Sequence, residues 1–361
     1  MGAFLESERL AQTVFKRESG WISEGARGPG AREGRGCDFC LPVASAAENL
    51  FEGTREKSLD HFEGRRIGWR EGGPRRPSED LCSSQVAAVN FLAPFMDEPD
   101  ALTALLKPLF AGVADVRQRR GQTISTPGLD HVLPVDDSGV FVDFEESGAA
   151  DYLGEAAASS VGTAGVDRTS ADAVVKFVRE DGATQVVLID WKYAESYGGE
   201  DLRWFRDADG DPATDRASIY RAAWERDAGP IEKALFLSEA GYEDLFVEPF
   251  YGFMRLQLLA AEMERSAARA PEGATERGAD IVSCLVVAPD ANADFKRMTS
   301  PKVGRLGTSP TKSWRRIVGG TNRFASASTE ELFRPIVADP PERLELWALY
   351  VGERYLRSSR R

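Results

Sequence analysis

The sequence predicts an α/β protein: a central mixed β-sheet flanked by helices, with further helical elaborations at the N- and C-terminal ends. Three observations predict it. Apolar, β-branched runs at Ala171–Arg179, Gln185–Lys192 and Ile281–Ala288 read as buried strands. Leu81–Phe95 and Phe250–Ala268 have the periodicity of helices. Along the chain, helices come first, then a hairpin, then helix, strand and helix, an order that suits a sheet covered on its faces.

Each element has a local reason. Residues 20–36 are rich in glycine and arginine and read as a loop or mobile segment. A second such stretch, Arg70–Pro77, precedes LCSSQVAAVNFLAPF, where Ser83 or Ser84 caps a helix and Pro94 ends or kinks it. A further apolar helix is expected over Ala101–Gln118, interrupted by Pro108. Gly139–Glu145 alternates like a half-buried strand. Asp211-Pro212 suits the start of a helix over Ala213–Arg226. Pro340 or Pro341 opens a last helix reaching about Arg357. No linker divides the chain, so one elaborated domain is expected: an N-terminal extension over 1–80, a core over 81–300 and a helical C-terminal extension over 301–361.

Composition excludes several chemistries. With 361 residues, 42% hydrophobic and 29% charged, the chain can bury a substantial core. Its apolar runs fall well short of the roughly 20 residues a membrane helix needs, so no membrane partner is expected. MGAFLESERL has no basic and apolar leader pattern, and Glu6 stands where a myristoylation signal needs Ser or Thr. Four cysteines do not make a disulfide scaffold, and a reducing cytoplasm is the expected location. Cys37 and Cys40 form a C-x-x-C with no second pair, read as structural or incidental. Only His61 and His131 are available as histidines, against 58 acidic residues. Histidine-rich metal centres are excluded, and catalysis would run on carboxylates, lysine and a hard cation. A net charge of −13 does not advertise nucleic-acid binding, although local patches decide that question. Arg117–Arg120, Lys312–Arg316 and Arg357–Arg361 are candidate phosphate contacts or plain solvated surface. The aromatics between Trp191 and Trp224 could stack on bases, or simply fill a core.

One stretch carries the chemistry. Glu180-Asp181-Gly182 fits a three-residue hairpin loop with glycine at the left-handed position. Arg179 then faces Ala183, and continuing the ladder puts Asp172 directly opposite Asp190, with Lys192 on the same face. Carboxylates opposite each other on paired strands repel. A divalent cation converts that repulsion into attraction, and a neighbouring lysine could orient or deprotonate water and offset charge on a phosphate. A structural ion pair is the competing reading, and it leaves one carboxylate unpaired.

Asp172, seventeen intervening residues and then Asp190-Trp191-Lys192 resembles the PD-(D/E)xK signature of restriction-endonuclease-like nucleases. The blocks Thr169–Ala173 (TSADA), Leu188–Tyr197 (LIDWKYAESY), Cys82–Phe95 (CSSQVAAVNFLAPF) and Asp151–Glu155 (DYLGE) also resemble a family of poorly characterised bacterial restriction endonucleases, over roughly residues 37–290. Two departures stand out. Ala171 occupies the place of the signature proline, and Asp190 stands where this family carries Glu. The resemblance implies a Mg²⁺-dependent nuclease, with Mn²⁺ able to substitute, acting on DNA and having a role in defence. It assigns Asp172 and Asp190 to the metal and Lys192 to the attacking water and the transition state. Glu155 becomes a further candidate metal ligand, Gln85 a candidate for metal, water or DNA, and Glu195 a buttress for Lys192. Gln257 and Arg255, on the long helix, become candidates for orienting a phosphate. The alternatives are a catalytically silent nuclease scaffold that binds nucleic acid or a protein partner, and a metal-dependent hydrolase acting on another substrate. A homodimer is left open.

Overall fold

The structure is a computed structural model that describes residues 2–32, 35–119, 139–148, 150–155, 168–206, 212–226, 231–269, 279–319 and 322–357. His131 lies outside the described residues. Its ten described strands are β1 (Gly30–Arg32), β2 (Arg35–Cys37), β3 (Val113–Arg117), β4 (Val142–Glu146), β5 (Ala171–Arg179), β6 (Thr184–Trp191), β7 (Trp204–Arg206), β8 (Pro212–Asp215), β9 (Ile281–Ala288) and β10 (Phe324–Ser328). Six of them form the central mixed sheet, in the order β10-β9-β6-β5-β3, with β4 also paired to β5. β5 runs antiparallel to β6, whereas β6–β9 and β9–β10 are parallel pairs. β1–β2 and β7–β8 are separate two-stranded ribbons. The α/β class and the mixed sheet are as the sequence predicts.

Helices cover both faces. On one lie α1 (Ala3–Glu18), α2 (Arg55–Gly64), α3 (Ser84–Leu92) and α4 (Pro99–Leu106). The other carries α5 (Arg216–Glu225), α6 (Lys233–Glu239), α7 (Phe250–Arg269) and α8 (Pro310–Ile317). Two last helices, α9 (Thr329–Ala338) and α10 (Glu345–Arg354), return to the first face. Alternation divides the central strands accordingly. Val175, Phe177, Val187 and Ile189 enter the first core, while Val174, Val186 and Leu188 enter the second. Because both faces are buried, β5 and β6 read as nearly continuous apolar runs.

Several local expectations are corrected. The helix expected over Ala101–Gln118 ends at Leu106, and Val113–Arg117 is instead the strand β3 beside β5. Pro108 and the left-handed Gly112 (φ 73°) break the helix, leaving a short strand that the preceding leucine pattern obscures. Residues 20–36 are more ordered than a loop: Glu24–Arg27 is a 3₁₀ turn, followed by the β1–β2 ribbon. Cys37 and Cys40 are joined in a disulfide at the end of that ribbon, whereas Cys82 and Cys284 are free and buried. The helix expected from Ala213 starts at Arg216, because 212–215 pair as β8 and Asp215 supplies the cap to Ala217 N–H. Residues 301–361, expected as helices, also supply β10. Phe324–Ser328 is made mostly of small residues, and it forms a strand because the β9 edge is available to pair with it. The α3 cap is as expected: Ser83 Oγ accepts from Val86 N–H.

The chain's two ends meet at a buried cation. Arg354 of α10 is fully buried, and its guanidinium donates to Gln12 Oε1 of α1 at 3.0 Å, to Asn49 O at 2.8 Å and to Leu81 O at 3.1 Å. It lies over the rings of Phe15 and Tyr355. A buried charge is tolerable only with donors and acceptors matched in this way.

Candidate active site

The hairpin delivers its side chains as its turn dictates. Gly182 sits at φ 84°, Gly182 N–H donates to Arg179 O, and Arg179 N–H donates to Ala183 O at 2.8 Å. Register then runs Val175↔Val187, Val174↔Leu188 and Ala173↔Ile189, so the next step sets Asp172 across from Asp190. At that end the backbone ladder gives way to a side-chain contact, with Trp191 N–H donating to Asp172 Oδ2 at 2.7 Å. On the other flank of β5, the pairs Phe144↔Ala173 and Glu146↔Ala171 bracket Asp172, setting Glu145 opposite it. Glu145, Asp172 and Asp190 therefore form a row of three carboxylates across three adjacent strands. Glu145 holds a left-handed backbone (φ 51°), uncommon for a residue with a side chain and concentrated at functional sites.

Two cations answer this row. Lys192 Nζ is 2.9 Å from Asp190 Oδ1. Arg70 spans the other two carboxylates, with Nη1 3.4 Å from Asp172 Oδ1 and Nη2 2.9 Å from Glu145 Oε2. Asp190 Oδ2 is buried and, among the described residues, has no hydrogen-bond partner. Burial, with the charge of Asp190 beside it, pushes the Asp172 carboxyl up to about 7. Burial opposes the charge on Lys192, yet Asp190, Tyr197, Asp172 and Glu195 hold its ammonium well above the ordinary lysine range. Burial likewise raises the Glu248 carboxyl and the Tyr197 hydroxyl, the two other groups whose charges bear on Lys192.

The remaining candidates fall into three places. Gln85 reaches the site but serves the loop that carries Arg70. Its Oε1 accepts from Arg70 N–H at 2.8 Å, and its Nε2 donates to Gly68 O and to Glu145 Oε1. Glu195 lies beside Lys192 and ties the segment after β6 to α3, accepting from Tyr193 N–H and Ser84 Oγ–H. Glu155 is engaged elsewhere. It accepts from Thr169 N–H and Oγ1–H at 2.6 Å each, from Tyr220 OH at 2.8 Å and from Arg255 at 3.1 Å. Arg255 is thereby committed to that buried cluster, and lies over the rings of Tyr220 and Tyr251. Gln257 is fully buried on α7, and neither amide atom has a partner among the described residues.

A cleft of about 800 Å³ opens beside the carboxylate row, lined in part by Arg9, Arg70, Gln85, Glu195, Tyr197 and Arg297. Its lining mixes Arg9, Arg70 and Arg297 with Glu71, Asp80, Glu195 and Asp294. Among the described residues none of it comes from the three basic runs, of which Arg120 and residues 358–361 lie outside the described residues. Arg117 pairs with Asp115, Arg119 is buried against Glu146, and Arg357 pairs with Glu8. Lys312, Arg315 and Arg316 are exposed on α8. Trp191, Tyr220 and Trp224 are core residues.

Arg70 and Glu145 are the participants that the sequence reading missed. A family model described as Restriction Endonuclease associating with ARP matches residues 9–356. The chain belongs to this family. The matched residues include the carboxylate row, both cations and all of the cleft lining except Gly2 and Leu5. No curated protein and no solved structure matches the chain. Among the described residues of this family member, no helix is long and apolar enough to cross a membrane.

The residues present fit a hard divalent cation in one respect and limit it in another. Asp190 Oδ2 is a buried carboxylate oxygen without a donor, beside a second carboxylate whose proton affinity is raised. Among the described residues, no group of three or more His, Cys, Asp and Glu is placed to hold a metal ion. Two aspartates are therefore the protein's offer, which suits Mg²⁺, an ion that keeps waters and takes phosphate oxygens besides one or two carboxylates.

Proposed function

We propose that this protein is a PD-(D/E)xK nuclease that hydrolyses DNA phosphodiester bonds with Mg²⁺ or Mn²⁺, in a defence role. The observation that carries the reading is the pairing of Asp172 and Asp190 across the hairpin, with one buried Asp190 oxygen free of donors and Lys192 alongside. An ion-pair network of Arg70 and Lys192 leaves three carboxylates sharing two cations and Asp190 Oδ2 without a donor, a deficit that a bound cation would fill. The family match, whose name denotes restriction endonucleases, supports the choice of DNA.

Asp172 and Asp190 would hold the cation, which when bound supplies Lewis-acid stabilisation of phosphoryl oxygens and a more acidic water. Lys192 stays an ammonium at neutral pH. It therefore donates hydrogen bonds to the attacking water or a phosphoryl oxygen, and does not accept the proton. Asp172, raised to about 7, ionises near neutrality and would bind a cation in its deprotonated form. Arg9, Arg70 and Arg297 would be the cleft's phosphate contacts, set among the carboxylates of Glu71, Asp80, Glu195 and Asp294.

The test is incubation of purified protein with plasmid, linear duplex and single-stranded DNA, with Mg²⁺, Mn²⁺ or EDTA, beside the Lys192→Ala and Asp190→Asn variants. Metal-dependent cleavage lost in both variants is expected. Cleavage that survives Lys192→Ala unchanged, or tight DNA binding with no turnover under any metal, overturns the reading.

A further inference from the structure

We propose that Arg70 is a positioning residue that couples cation entry to capture of the substrate phosphate, holding Asp172 until the cation takes it and then turning to the phosphate. The inference rests on the reading above and gives that site a further working part.

The geometry is specific. Arg70 bridges Asp172 and Glu145 with different nitrogens, so it can leave one carboxylate while keeping the other. Nη2 is held by Glu145, which is itself fixed by Gln85 and by Ser170 Oγ–H at 2.8 Å. The backbone of Arg70 is also fixed, its N–H donating to Gln85 Oε1. Only Nη1, 3.4 Å from Asp172, is weakly tied, and the Arg70 side chain is 55% exposed where those of Asp172 and Glu145 are 9% and 13% exposed. Arg70 is thus the member of the cluster that stands between the carboxylate row and the open cleft it lines.

Charge bookkeeping points the same way. Carboxylates outnumber cations here: Glu145, Asp172 and Asp190 face Arg70 and Lys192, with Glu195 and Glu248 also acting on Lys192. The cluster therefore favours an added cation, and a phosphodiester offsets the charge which that cation brings. The guanidinium is the natural receiver, because its planar fork matches carboxylate and phosphate oxygens alike. While it remains on Asp172, it competes with the cation for that carboxylate.

The test is titration calorimetry of Mn²⁺ into wild-type, Arg70→Gln, Arg70→Lys and Asp190→Asn proteins, with duplex affinity measured across a salt series and cleavage measured alongside. Removing a unit charge beside a carboxylate changes that carboxylate's affinity for a cation about tenfold or more. Arg70→Gln is expected to bind Mn²⁺ about tenfold more tightly, to cleave about a hundredfold more slowly, and to lower the salt slope of duplex binding by about one. Arg70→Lys keeps the charge without the fork, and is expected to retain the slope while tightening Mn²⁺ less. It also serves if thermal melting shows that Arg70→Gln does not fold. Unchanged or weaker Mn²⁺ binding in Arg70→Gln, with an unchanged slope, overturns the proposal and leaves the nuclease reading standing. Equal Mn²⁺ affinity in Asp190→Asn and wild type overturns the nuclease reading, and this proposal with it.

Discussion

Replacing Asp172 by Asn gives the most direct measure of the charge crowding at the sheet end. The carboxyl is held at about 7 in the folded chain, against an ordinary value of 3.8. A native pKa above the unfolded one means that the folded chain binds more protons between those values. Stability contributed by this group is therefore greatest in acid and falls as pH rises from about 4 to about 7. With about 1.36 kcal/mol for each pKa unit, a rise of this size makes Asp172 cost several kcal/mol at pH 8 and little at pH 4. Asn is neutral at both, and its carbonyl can still accept from Trp191 N–H. Urea unfolding of wild-type and Asp172→Asn proteins, without divalent cations, should show the variant's advantage growing by about 3–4 kcal/mol from pH 4 to pH 8. Taking the difference between the two proteins cancels titrating groups that do not interact with Asp172. A pH-independent difference would show that burial and the Asp190 charge do not raise the Asp172 carboxyl, and would remove the physical basis of the site. Adding Mn²⁺ at pH 8 should stabilise the wild type and not the variant.

Four further outcomes test separate parts of the structure. Lys192→Ala should lower cleavage by about 10²–10³-fold, read in initial rates at saturating Mg²⁺, as expected for loss of a donor aimed at developing charge. Glu155→Gln removes the carboxylate charge 3.1 Å from the buried Arg255 guanidinium and should cost about 3 kcal/mol in urea unfolding. Because Glu155 is engaged by Thr169, Tyr220 and Arg255, Mn²⁺ affinity should stay within twofold of wild type. Gly182→Ala should destabilise by about 1–2 kcal/mol, since its φ of 84° suits glycine alone at no steric cost. Arg354→Met removes the guanidinium that donates to Gln12 Oε1, Asn49 Oδ1 and Leu81 O, and should lower unfolding stability by about 3 kcal/mol or more.

The hairpin was legible because its determinants are local. A glycine at the third loop position fixes the turn, the turn fixes the register, and alternation does the rest for Asp172, Asp190 and Lys192. Glu145 lay in a strand that the sequence marks, but its value depends on which strand β4 pairs with and in what register. Arg70 is harder still. It sits in a glycine- and proline-rich loop about a hundred residues before Asp172, and only the folded chain shows Gln85 holding that loop against Glu145. Glu155 shows the converse. Its place just before the hairpin suggested a ligand, whereas the fold supplies it with Thr169, Tyr220 and Arg255 first. The strands β3 and β10 escaped because one continues a leucine-rich pattern and the other is built of small residues. Both exist through the neighbours they pair with.

The knot around Arg354 bears on how the polypeptide is made. Helix α1 is synthesised well over three hundred residues before Arg354, yet Gln12 Oε1 and Phe15 meet Arg354 and Tyr350 only when α10 has emerged. Until then the part of α1 that meets Tyr350 and Arg354 is uncovered, and contacts of such long sequence separation form slowly. Nascent chains stalled before residue 345 should therefore be protease-sensitive in their first helix and a natural load for chaperones.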